Sequence, residues 1–207
     1  MKIGIDASRA NQKNKTGTEW YSYNLIQELK KIIPENVKVV LYSKEPLENG
    51  LGILPQNWES KILNWPPKFL WTQIRLSLEM LKLWNRPKLL FIPAHTVPIF
   101  HPPKTILVAH DIGFEKMKEL YGDKEIGYQS NILKSFLKFL VKLVTFGQYG
   151  TSELDYHRWA MKHGLREASK IITVSDFSKK EICEHYNIDP KNISVVYNGF
   201  SSNEYFP

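Results

Sequence analysis

Short apolar runs alternate along this chain with longer stretches whose apolar residues recur every third or fourth position. Lys2–Asp6 reads as a strand ending in a carboxylate, followed by a polar loop from Ala7 to Lys15. After Thr16-Gly17-Thr18-Glu19, the spacing of Tyr21, Leu25, Ile26, Leu29, Ile32 and Ile33 predicts a helix from Trp20 to Ile33, stopped by Pro34. Val37–Tyr42 is a second strand, residues 43–60 read as loop, and Ile62–Trp65 as a short strand. Helical spacing returns over Phe69–Trp84, then Leu89–Ile92 forms a strand that delivers Pro93-Ala-His-Thr96 at its carboxyl end. Pro98, Pro102 and Pro103 keep the next connection extended. Thr105–Ala109 is β-branched or small and apolar, as in a strand buried on both faces, and it stops abruptly at His110-Asp111.

Residues 113–168 predict a long helical region, including the almost wholly apolar Ile132–Phe146 and a helix over Glu153–Ala168. Lys170–Val174 is a strand, and a helix follows through Tyr186, its start marked by the capping-box spacing of Ser178 and Glu181. Ile193–Tyr197 is the last strand, broken by the Asn198-Gly199 turn. At least six strands alternating with helices predict an α/β protein with a parallel, doubly wound sheet.

Composition narrows the class. The 207 residues are 43% hydrophobic and 13% aromatic, enough for a real core and too apolar for a disordered chain. A single cysteine, Cys183, excludes a disulfide framework and a cysteine zinc cluster. Lys2–Asp6 is too short an apolar run for a signal peptide, and no run reaches the 18 apolar residues of a membrane span. These features predict a cytoplasmic protein, or one peripheral on the cytosolic face of a membrane. Net charge is +7, and residues 61–88 carry six basic side chains against Glu79 alone. That excess points to an anionic partner.

Ligands of open α/β sheets bind outside the carboxyl ends of the strands, where His110, Asp111 and His95 all fall. The same positions suit a helix-capping Asp111 and a structural His110. Lys134, Lys138 and Lys142, spaced by four, form one stripe on the Ile132–Phe146 helix. That stripe fits either the solvated edge of a packing helix or a membrane-facing element with its lysines toward anionic headgroups. The loop after the first strand has neither G-x-G-x-x-G nor a Walker lysine pattern, which argues against dinucleotide and P-loop sites. No metal-ligand spacing surrounds His110-Asp111. The aromatics sit at core spacings rather than interleaved with lysines, which disfavours a nucleic-acid partner.

Six stretches, in order, resemble the N-terminal, acceptor-side domain of family-4 glycosyltransferases of the GT-B fold. They are Lys2–Ala7 with Thr16-Gly17 and Tyr21-Ser-Tyr-Asn24-Leu25, Leu70–Leu76, Leu90–His95, Val108–Asp111, Ala168–Lys179 and Ile193–Gly199. The resemblance implies a single doubly wound, mostly parallel Rossmann-like sheet with helices on both faces, over residues 1–199. It implies a retaining transfer of a sugar from a nucleotide-sugar to an acceptor, lipid-linked or part of a cell-envelope glycan. His110 matches the family histidine that contacts the donor sugar. Gly17 and Thr18, beside Glu19, fall where the glycine loop approaches donor phosphates and acceptor, and Ser175 and Asn198 match cleft-lining positions. His95 and Asp111 complete the substrate-binding candidates.

No cofactor and no metal are expected on this pattern, because helix dipoles and basic side chains stabilise the leaving diphosphate. The loop reads Lys15-Thr-Gly-Thr18 where many relatives have a second glycine. Residues 200–207 correspond to the start of the interdomain linker, so the nucleotide-sugar would bind through a C-terminal domain beyond this sequence, and the chain alone should be inactive. The competing expectation is a non-catalytic binding module, for an anionic ligand or a membrane surface, derived from a glycosyltransferase half.

Overall fold

The computed structural model describes residues 1–65, 70–116, 142 and 153–199. Its strands are β1 Lys2–Asp6, β2 Lys38–Ser43, β3 Trp58–Ile62, β4 Leu89–Ile92, β5 Lys104–Val108, β6 Lys170–Thr173 and β7 Ile193–Val195. They form one seven-stranded sheet in the order β3-β2-β1-β4-β5-β6-β7, with each neighbouring pair parallel. This is the doubly wound α/β arrangement that the alternation of elements predicts. The described helices are α1 Gly17–Ile32, α2 Ser77–Met80, α3 Gly113–Lys116, α4 Glu153–Glu167 and α5 Asp176–Tyr186.

From β1 the chain first moves toward β2 and β3, then returns to build β4 to β7 on the other side of β1. Right-handed crossovers in opposite directions put helices on opposite faces. The core divides accordingly. Val39 and Leu41 of β2 pack with Ile5, Trp58 and Ile26 of α1, while Val40 and Tyr42 pack with Leu90, Met161 of α4 and Ile182 of α5. Successive residues of β2 thus enter different clusters, which is why its sequence is a continuous apolar run. Gly4 is required by that packing: an added Cβ would lie 2.7 Å from Pro87 Cγ and 2.8 Å from Tyr42 Cε2.

Several boundaries differ from the sequence expectation. The first helix starts at Gly17, one turn before Trp20, because Thr16 and Glu19 cap it: the Thr16 N–H and hydroxyl both donate to Glu19 Oε2. Strand β3 occupies Trp58–Ile62, beginning inside the expected 43–60 loop and sharing only Ile62 with the expected Ile62–Trp65 strand, because Trp58 and the backbone pairing to β2 outweigh a charged, edge-strand composition. Among the described residues of the expected Phe69–Trp84 helix, only Trp71–Met80 are helical, and residues 71–76 wind as a wider π turn. The cap of α5 is Ser175, whose Oγ accepts from the Ser178 N–H at 3.0 Å. Ser178 lies inside the first turn, and Glu181 pairs instead with Lys116. The Ile132–Phe146 stretch, with Lys134 and Lys138, lies outside the described residues; Lys142 is helical and exposed.

Candidate active site

The direction of winding reverses between β1 and β4, and a doubly wound sheet opens a crevice at that switch point, outside the strands' carboxyl ends. Four connections converge there. β1 contributes Asp6 and the loop to α1, β4 contributes Pro93 to Thr96, β5 contributes His110, and α4 places Tyr156 and His157 over them.

His110 is half-buried between two elements. Its Nε2–H donates to the Pro93 carbonyl at 3.2 Å, and Tyr21 of α1 meets its ring edge-on, 4.5 Å between centroids and at 88°. A carbonyl only accepts, so this bond places the proton of a neutral ring on Nε2 and leaves Nδ1 as an acceptor. Burial holds the imidazole below its usual pKa, with the Pro93 carbonyl and the Asp111 and Glu19 carboxylates opposing. The ring is therefore neutral at physiological pH.

Asp111 is exposed, and its Oδ1 accepts the Gly113 N–H at 2.8 Å, at the start of the single turn of α3. His95 faces α4, with its Nε2 at 3.1 Å from His157 Nδ1. Burial, then the nearby His157, Arg9 and His110, push His95 down to about 3. Beside it, Tyr156 Oη donates to Gln73 Oε1 at 3.0 Å. Gln73 is buried, and its Nε2 has no hydrogen-bond partner. The π turn that carries Gln73 is preceded by Leu70 in the left-handed region, φ 55°, a conformation costing on the order of 1–2 kcal/mol for a side chain with a Cβ. Such wide turns recur at functional sites.

The α1 side of the crevice is the charged side. Arg9 Nη1 lies 3.3 Å from Glu19 Oε1. Burial opposes ionisation of Glu19, but the Thr16 hydrogen bonds and Arg9 outweigh it and hold the carboxyl below its ordinary range. Asp6 is buried and its carboxyl is raised by that burial, against the Ser8 hydrogen bonds and Arg9. Gly17 stands at the first helical position, and a Cβ added there would meet nothing within 4 Å. The open first turn of α1, with its N–H groups and dipole, is suited to an anionic group.

The structure thus brings Gly17, Thr18, Glu19, His95 and His110 to one rim. Ser175 lies at the next strand end along, where its hydroxyl is occupied in capping α5. Asn198 is exposed beyond β7, adjoining the start of α5 through the Tyr197–Asp176 hydrogen bond. Sequence reasoning missed Arg9, Gln73, Tyr156 and His157. Helical periodicity assigns the last two to a helix and cannot say that they face a strand end 60 residues earlier; an ion pair across a loop leaves no periodic signal. Among the described residues, no three His, Cys, Asp or Glu side chains are grouped so as to hold a metal ion.

No curated protein matches the chain. The family model of Glycosyltransferase Family 4 matches residues 15–204, a span running from the capped start of α1 past β7. On that match, and with a parallel sheet whose switch point gathers these side chains, the chain belongs to glycosyltransferase family 4.

Proposed function

We propose that the chain supplies the acceptor-side wall of a retaining glycosyltransferase, which moves a sugar from a nucleotide-sugar to an acceptor hydroxyl, with the nucleotide held by a second, donor-binding domain. The observation that carries this reading is His110, oriented by its bond to the Pro93 carbonyl at the switch point of a family-4 domain. In the transfer, the bond from the anomeric carbon to the diphosphate breaks and one to the acceptor oxygen forms. The acceptor's proton leaves with the diphosphate. Positive charge develops on the sugar ring between these events. A neutral imidazole beside it offers an acceptor lone pair without adding repulsion, and the Glu19 carboxylate adds a favourable field. The open first turn of α1 at Gly17 faces the side on which phosphate charge would be stabilised.

The test is transfer from a panel of labelled nucleotide-sugars, by the chain with and without a donor domain, compared with His110→Ala. We expect transfer only with the donor domain and a loss of about 100-fold in the variant. Unchanged ligand affinity in His110→Ala, with no transfer under any condition, would favour the binding-module reading.

A further inference from the structure

The edge of the sheet opposite the rim carries a second organised surface. Lys2, Lys38, Lys104 and Lys170 open β1, β2, β5 and β6, and Lys88 immediately precedes β4. Lys2 pairs in register with Lys38, Leu89 with Ile3, and Lys104 with Leu89, so Lys38, Lys2, Lys88 and Lys104 stand close to one row across neighbouring strands, with Lys170 set two residues further along, opposite Ile106. Lys38, Lys88, Lys104 and Lys170 are exposed. The nearby acids are few: Glu35, Glu59 and Glu167 are exposed, and Glu167 lies 3.8 Å from His101. Glu79 is buried and already faces Lys61, Arg75 and Lys82.

Helix C-termini also end at this edge, and their dipoles account for part of the lysine row. They do not account for what lies beside it. The turn after α2 holds Trp84 at 93% and Leu83 at 61% exposure. That turn is ordered: the Asn85 and Arg86 N–H groups both donate to the Lys82 carbonyl at 2.9 Å. Lys2 Nζ also donates to the Asn85 carbonyl and side-chain oxygens, each at 2.9 Å, tying the turn to β1. Exposed Leu78 and Leu81 continue the apolar surface, and exposed Phe100 is linked to the same helix through its N–H to Ser77 Oγ at 3.3 Å. A tryptophan held in water by a pinned turn, next to leucines and a row of lysines, has the chemistry of an interfacial anchor.

We propose that this edge docks on an anionic lipid surface, with Leu83 and Trp84 entering the headgroup region and Lys38, Lys88 and Lys104 facing its charge. Nucleic acid is a poorer occupant, because the apolar part is aliphatic and lacks the series of aromatic platforms that stack on bases. The proposal stands independently of the transferase reading. If both hold, the catalytic rim lies one strand length, about 17 Å, above the membrane and opens away from it.

The test is co-sedimentation of the full chain with vesicles rich in phosphatidylglycerol and with vesicles of phosphatidylcholine alone. The wild type should bind the anionic vesicles only. Leu83→Ser/Trp84→Ser should weaken binding about tenfold, and Lys38→Glu/Lys88→Glu/Lys104→Glu about a hundredfold. Circular dichroism should be unchanged in both, since every altered side chain is exposed. Absence of vesicle binding, binding that both variants retain, loss only on charge reversal of Lys134, Lys138 and Lys142, or binding to duplex DNA in place of vesicles would each overturn it.

Discussion

His95 and His110 are three and two residues beyond short apolar strands, yet their surroundings differ. His110 is fixed by a carbonyl and an aromatic edge, whereas His95 sits under α4 against a second imidazole, His157. The second arrangement has a measurable cost in acid. His95 titrates at about 3 in the folded chain against an ordinary 6.5, so on acidification the unfolded chain takes up the proton first. Its contribution to stability is therefore complete above pH 6.5 and is lost as the pH falls toward 3. The slope is at most about 1.4 kcal/mol per pH unit, reduced by solvent at a half-buried ring. Urea unfolding across that range should show His95→Gln with a flatter profile than wild type; parallel profiles would mean that His95 is not the group responsible. Asp111 shows how far sequence reaches at this scale. Its position beside a strand end admits a ligand role and a capping role equally, and the bond from the Gly113 N–H shows what one of its carboxylate oxygens does in the fold.

At the scale of elements, caps decided what periodicity left open. Thr16-x-x-Glu19 was present in the sequence as a capping box, but the apolar spacing begins at Trp20 and drew the helix start with it. The opposite error occurred in α5, where Ser178-x-x-Glu181 matches the capping pattern while Ser175 makes the bond. Ser175→Ala should therefore destabilise the fold by about 1 kcal/mol in chemical denaturation, and Glu181→Ala, which removes only its partnership with Lys116, should cost clearly less. The reverse order would restore Ser178 as the cap. The π turn at Trp71–Leu76 was not legible at all, because its side chains keep a near-helical spacing while the backbone widens. That widening brings Gln73 to Tyr156.

For the whole molecule, the alternation of strand and helix was enough to predict the parallel sheet, since each strand is an apolar run bounded by polar punctuation. β3 was expected four residues too late, at Ile62–Trp65, because an edge strand with Glu59, Ser60 and Lys61 carries no such run. Strand order, and with it the switch point, is a property of connections rather than of any segment. The rim was therefore legible through strand-end residues such as His95 and His110, and its α4 wall was not. The carboxyl edge of the sheet carries the candidate site, and the amino edge carries the lysines and the exposed Leu83 and Trp84. The central claim, that the first of these holds a sugar against a neutral His110, is most directly tested by imidazole nitrogen NMR of the chain at neutral pH. The account predicts an Nε2–H tautomer for His110, with its resonances and those of His95 displaced on adding acceptor saccharide, and on adding nucleotide-sugar once the donor domain is present. An imidazolium His110, or His110 signals unmoved by ligands that the protein demonstrably binds, would contradict it.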